Sequence, residues 1–214
     1  MKPSERVTIK AFLAVDQASV SGVAMGLYAD RLRSIRTGVA TKPEHRVQHI
    51  KAALALAGCT CFLGAEKAQR TYPEPCKCGA VACLFVVLED HSLIPASAGM
   101  GTPTLLGMGA ARGAWEETLA HFGHKDAMRD KVDMGTWRGA VLGPRFARAR
   151  KEVVKPEAVR WAKARTRRED IGDDEAEALC ILTWAADAIP QKIAVKRLQQ
   201  DLFEQHGLQQ RGPA

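Results

Sequence analysis

Four carboxylates stand where a folding chain does not ordinarily keep a charge. Asp16 ends the apolar run in "FLAVDQASVSGVAMG", and Glu89 ends another in "VACLFVVLED". Asp174 and Glu177 open "DDEAEALCILTWAADAI", a segment otherwise almost wholly apolar. An ionised carboxylate at the edge of a core is costly unless a cation meets it. Asp174 and Glu177 lie three residues apart, so they share one face of a helix. Converging hard oxygen ligands suit Mg2+ or Mn2+. Two such ions roughly 4 Å apart can activate a water and stabilise the leaving oxygen of a phosphodiester. Each acid also has an ordinary reading. Asp173, Asp174 and Glu175 would suit the positive end of a helix dipole. Asp16 would suit an Asx-type turn, and Glu89 with Asp90 the start of a loop. Their matching positions at the ends of buried elements favour a shared site.

Two other groups of residues carry chemistry. Cys59, Cys61, Cys76 and Cys78 form two C-x-C pairs within a segment at about 59–80 that breaks the surrounding pattern. Four thiolates suit a structural tetrahedral Zn2+, although a spacing of two or more residues is usual. A loop with reduced thiols is the ordinary reading. Cys83 sits just inside the next strand, and Cys180 reads as a small buried hydrophobe. A basic run, Arg145, Arg148, Arg150, Lys151 and Lys155, lies just ahead of the acidic helix. It would neutralise phosphates and make binding salt-dependent, or else form a solvated face. The formal net charge of +7 and pI of about 9.2 are compatible with a polyanionic partner. The tryptophans are expected in the core. Trp137, beside Arg138, is the one placed to stack on an unpaired base. No Ser/His/Asp arrangement, P-loop or dinucleotide fingerprint is present, so no nucleotide cofactor is expected.

The elements that must position these residues follow from periodicity. Residues 7–15 and 22–29 read as a strand pair around a small-residue turn, and 31–40 as a third strand. Residues 42–58 read as a helix with Pro43 in its first turn and Gly58 closing it. "VACLFVVLED" has the continuous apolar character of a central strand. A helix at 103–123 follows, then a strand leading into a turn across "KDAMRDKVDMGTWRGAVLG". A short basic helix at 155–168 and the apolar helix at 173–189 complete the series. Strands followed by mixed strand and helix imply an α/β fold with a mixed sheet. No stretch reads as a membrane span and no secretory signal opens the chain, so a cytoplasmic protein with reduced cysteines is expected.

The quoted segments resemble a known family. "AVDQASVSGVAMG", "FVVLED", "LLGMGAARGAW" and "DDEAEALCIL" resemble the first hairpin, the Glu-bearing strand, the Leu-Gly-x-x-x-Arg-Gly helix and the C-terminal acidic helix of RuvC-type Holliday-junction resolvases. The likeness is to the phage branch of that group within the RNase H-like superfamily, over residues 9–188. It implies an RNase H-like fold: a central mixed five-stranded sheet flanked by helices, here with the Cys-rich insertion. The nuclease domain is expected at 1–190, and the apolar spacing of 191–214 suits a short amphipathic helix with a frayed tail. The resemblance implies Asp16, Glu89, Asp174 and Glu177 as catalytic metal ligands. The family usually has Asp where this chain has Glu177, which reaches one methylene further; Asp173 is the neighbouring alternative. "TWRGAVLG" and "ARARKEVV" resemble the segments bearing the family's basic residues. They point to Arg138 and Lys151, with Arg148 and Arg150 as alternatives, for holding DNA.

The activity so implied is metal-dependent nicking of branched DNA, chiefly four-way junctions, with two Mg2+ or Mn2+ ions. A two-fold junction cut by paired nicks implies a homodimer. A non-catalytic branched-DNA-binding protein on the same fold is the alternative. A sugar-kinase or actin-like ATPase would need two Gly-rich phosphate loops in a longer chain.

Overall fold

A computed structural model describes residues 9–17, 20–29, 31–58, 84–90, 101–122 and 129–209, without the side chains of 197 and of 200 onward. The segment that carries Cys59, Cys61, Cys76, Cys78 and Cys83 lies outside the described residues, as does the tip of the first hairpin.

Five strands form one mixed sheet in the order β3-β2-β1-β4-β5. They are β1 (Ala11–Asp16), β2 (Ser21–Tyr28), β3 (Leu32–Ala40), β4 (Leu84–Asp90) and β5 (Arg129–Asp133). The first three run antiparallel in sequence, while β1, β4 and β5 are parallel neighbours. The mixed five-stranded sheet flanked by helices is thus the one expected from the sequence.

Successive strand residues point to opposite faces, and this alternation sorts the core into two layers. Ala11, Leu13 and Val15 of β1 and Leu84, Val86 and Leu88 of β4 pack beneath two helices, α1 (Pro43–Leu56) and α2 (Thr102–His121). Phe12, Ala14, Phe85 and Val87 face the other way. They pack against α3 (Met134–Val141), α4 (Lys151–Thr166) and α5 (Asp173–Gln209). Both faces of β1 and β4 are therefore covered, which explains their uninterrupted apolar character. Each fully buried Leu or Ile contributes about 1.5–3 kcal/mol relative to exposure.

Three elements differ from expectation. "MGTWRGAV" is helical rather than a turn. Asp133 caps it by accepting a hydrogen bond from the Thr136 amide at 2.9 Å, outweighing the low helix propensity of its two glycines. Helix α4 begins at Lys151, so Pro156 sits inside it rather than at its start. Helix α5 runs unbroken through Pro190 to Gln209 instead of ending at Ile189. An interior proline costs about 3 kcal/mol, but Ile189 and Ile193 on either side both pack on the same core, which holds the backbone helical across it.

Residues 173–196 of α5 are also long and apolar enough to cross a bilayer by length and composition, contrary to the expectation that no stretch is. Ala176, Leu179, Ile181, Leu182 and Ala185 of this stretch are fully buried against the sheet.

Candidate metal centre

Register brings the strand acids together. Val15 pairs with Leu88 across the parallel β1–β4 ladder, so the next residues, Asp16 and Glu89, end neighbouring strands. Alternation turns both toward the α5 layer, because Ala14 and Val87 two positions earlier face it. Helix α5 starts directly over this sheet end. Gly22, the cross-strand partner of Asp16, makes that possible: a Cβ there would lie 1.8 Å from the Asp174 carbonyl oxygen. The helix backbone thus rests on the sheet where only glycine leaves space.

The consequence is a tight acidic cluster. Carboxylate oxygens of Asp16, Asp174 and Glu177 lie within 4.8 Å of one another. Asp16 and Glu177 are each only 6 % exposed. Glu89, 4 % exposed, stands against Asp16 and shares a hydrogen bond with it. The Trp137 indole Nε1 donates to Glu89 Oε1 at 2.7 Å.

Charge balance in the cluster is poor. Burial, then the charges of Glu89, Glu177 and Asp174, push the Asp16 carboxyl well above its ordinary range. Burial and Glu89 push Glu177 up to about 7, with Arg138 and Lys155 pulling against them. Arg138 Nη2 donates to Glu177 Oε1 at 3.3 Å, and its guanidinium lies 5.3 Å from the centre of the Trp137 ring. Lys155 Nζ lies 2.6 Å from Asp173 Oδ2, 3.4 Å from Asp174 Oδ1 and 3.9 Å from Glu177 Oε2. Burial alone would lower the Lys155 pKa; the Asp173 hydrogen bond and the charges of Glu177, Asp173 and Asp174 outweigh it and raise the value. Five carboxylates, Asp173 included, therefore face two cations. Three carboxylates within reach of one point, short of positive charge and all oxygen in donor type, fit a hard divalent cation.

The remaining residues singled out in the sequence fall as follows. Asp16, Asp174 and Glu177 converge, with Glu89 beside Asp16. Arg138 is nearly buried beneath Glu177. Arg148, Arg150 and Lys151 are exposed at the start of α4. The member of the basic run that reaches the carboxylates is Lys155, one turn beyond Lys151 on the same face of α4. Trp137 is fully buried and engaged with Glu89, so its ring is not available to stack on a base. Cys180 is buried, and burial holds its thiol above the usual range.

Sequence reading did not single out three contributors: Gly22, Lys155 as a direct partner of the acids, and Trp137 as the holder of Glu89. The i, i+4 spacing of Lys151 and Lys155 carried a signal for the second. The other two depend on contacts across 152 and 48 residues of chain, respectively, between Gly22 and Asp174 and between Glu89 and Trp137.

Trp137→Phe keeps an aromatic ring in the core, removes the N–H donor and leaves a small void. Losing an outer partner of this kind lowers metal affinity or activity roughly 10–100-fold. The expected result is a loss in that range in a Mn2+ titration, with α3 helicity unchanged by circular dichroism.

No protein-family model matches the chain, and no curated protein matches it. Solved structures to which the chain is similar include Thermus thermophilus RuvC in complex with Holliday junction substrate. It is 14% identical, with a TM-score of 0.41 over 83% of this chain and 94% of that one. A second is a Thermus thermophilus RuvC structure, also 14% identical, with a TM-score of 0.40 over 83% of this chain and 96% of that one.

Proposed function

We propose that the protein is a divalent-metal-dependent endonuclease of the RuvC type, nicking branched DNA and chiefly four-way junctions. The observation that carries the metal-dependent part is the convergence of Asp16, Asp174 and Glu177 within 4.8 Å at one sheet end. The choice of branched DNA rests on the four sequence segments that resemble junction resolvases, and the chain's positive charge supports a polyanionic substrate.

Asp16, Asp174 and Glu177 would hold the ion, with Glu89 beside them. A divalent ion there would supply Lewis-acid activation of water and neutralisation of charge on the phosphate. Trp137 fixes Glu89 through its indole N–H. Arg138 sets the rotamer of Glu177, compensating for its extra methylene by tying Oε1 to a fixed guanidinium. Lys155 bridges Asp173, Asp174 and Glu177 and keeps a positive charge at the mouth of the site, where a phosphate would arrive. The exposed Arg148, Arg150 and Lys151 extend that field along α4. A Cys59/Cys61/Cys76/Cys78 zinc site and a cytoplasmic location belong to this reading as well.

A homodimer would supply the paired cuts. Helix α2 supports it: Leu105 and Leu106 are 42% and 68% exposed, and Gly107, Gly109 and Gly113 leave open space beside them. An exposed apolar patch lined by small residues is suited to close helix–helix packing with a second copy. Leu106→Asp is expected to shift the protein from dimer to monomer in sedimentation. A wild type that sediments as a monomer at micromolar concentration would contradict the dimer.

The activity is tested with a labelled four-way junction and a linear duplex of the same sequence, in Mg2+, Mn2+ or EDTA. Metal-dependent nicks confined to the junction are expected. Junction binding without cleavage in either metal, unchanged in Asp16→Asn, would instead identify a non-catalytic binding protein.

A further inference from the structure

The strongest feature outside the carboxylate site is a cleft between the edge strand β3 and the C-terminal end of α4. Its volume is about 690 Å3, and its walls include Arg31, Arg33, Ser34, Thr37, Arg165 and Arg168. With Thr166, four arginines and three hydroxyl residues thus border one concavity. Among the described residues, Arg168 alone of the four is balanced, by Asp170 at 3.0 Å and Glu175 at 3.5 Å. Arg31, Arg33 and Arg165 are exposed and form no ion pair with any described residue.

The backbone is shaped for this cleft. Ser34 (φ 50°) and Arg167 (φ 59°) are the non-glycine residues with left-handed backbone among the described residues. Ser34 lies in a bulge, where the β2–β3 register shifts between Met25 and Leu27. The bulge reverses the alternation of β3, so that Leu32 and Ile35 both pack toward the α5 layer. Arg167 takes the position after a helix where glycine is usual, and the chain turns there with Arg165, Thr166 and Arg168 all lining the cleft. Strained residues gathered at one place are a mark of a ligand site. Charges that merely guard a sheet edge need only face solvent; these converge, and guanidinium with hydroxyl donors is the chemistry that recognises phosphate.

The cleft also adjoins the acidic site. Arg168 Nη1 donates to Thr37 Oγ1 at 2.6 Å, and Thr37 Oγ1 donates to Glu175 Oε1 at 2.7 Å. Glu175 is the next residue after Asp174. We infer that this cleft binds a phosphate group, supplied by the backbone of the nucleic-acid strand whose neighbouring phosphate sits at the carboxylates. The choice of nucleic acid rests on the nuclease reading; the phosphate chemistry does not.

The test is the double variant Arg33→Gln/Arg165→Gln. Both side chains are exposed, and Arg168 with its ion pairs is left intact. Binding of a labelled four-way junction is followed by fluorescence anisotropy in EDTA across a range of salt. The expected result is affinity weakened roughly tenfold or more near 0.1 M salt, with the log K against log salt slope reduced by roughly 2. The Mn2+-induced rise in melting temperature should be unchanged. Equal affinity and slope in the two proteins overturn the inference. If the wild type binds no DNA, the nuclease reading falls separately, and melting in inorganic phosphate or ATP decides the cleft. A stabilisation present in the wild type and lost in the double variant supports a site for a free phosphate compound. No stabilisation, or an equal one in both, overturns it.

Discussion

Asp16→Asn is expected to abolish junction cleavage while making the metal-free protein more stable. The two effects have one cause. Asp16 is buried with Glu89, Asp174 and Glu177 around it, and burial and those charges hold its carboxyl far above the ordinary range. Asparagine keeps the shape, removes the repelling charge and offers an N–H2 donor to its acidic neighbours. Stabilisation of about 1 kcal/mol or more is expected, which for a chain of this size is about 2–4 °C in melting temperature. Activity should fall by more than the roughly 10–100-fold that loss of an outer partner causes.

The pH dependence has a definite sign. Asp16 and Glu177 bind protons more tightly in the folded chain than in the unfolded one. Their protonation stabilises the fold below the unfolded pKa values, and that stability is lost as pH rises through the folded ones. For Glu177 the window runs from its ordinary value of 4.5 to about 7. Metal-free wild type should therefore lose melting temperature across that window, and Asp16→Asn should flatten the loss. Mn2+ at neutral pH should restore the wild type and leave Asp16→Asn unaffected.

Gly22→Ala should be the most damaging glycine-to-alanine substitution among the described residues. The added Cβ would stand 1.8 Å from the Asp174 carbonyl oxygen and 2.3 Å from its carbonyl carbon. Both are backbone atoms, so no side-chain rotation relieves the overlap. Either β2 or the start of α5 must move, and each carries ligands or core residues. Destabilisation of about 3 kcal/mol or more is expected, in the upper range for point substitutions. Chemical denaturation measures it. Folded protein that remains should show no Mn2+-induced rise in melting temperature, because Asp174 and Glu177 would be displaced from Asp16. Gly101→Ser, at the position that caps α2, is the control: its Cβ makes only an ordinary contact with Pro103 at 3.6 Å, and serine suits a helix N-cap. Equal stability of Gly22→Ala and wild type would mean that α5 does not rest on β2 as described.

Much of this arrangement was legible in the sequence because it depends on local pattern. The alternation in "FLAVD" and "FVVLED" sets which face Asp16 and Glu89 share, and the spacing of Asp174 and Glu177 sets their helix face. The mixed sheet followed from the order of strand and helix patterns. What escaped depends on contacts between distant segments. Nothing near Gly22 tells that a helix backbone from residue 174 will lie on it. Trp137 read as a core residue or a stacking surface because its partner, Glu89, lies on another element. "MGTWRGAV" has the pattern of a turn because its glycines mask the Asp133 cap. Pro190 suggested a helix end because the packing of Ile189 and Ile193 on one core is not a local property.

The central claim is that the acids ending β1 and starting α5 form one divalent-cation site. It is tested most directly by titrating Mn2+ into the purified protein at neutral pH, with the free ion followed by electron paramagnetic resonance. Wild type should deplete the free-ion signal and Asp16→Asn should not. Equal depletion by the two proteins, or none by the wild type, would contradict it.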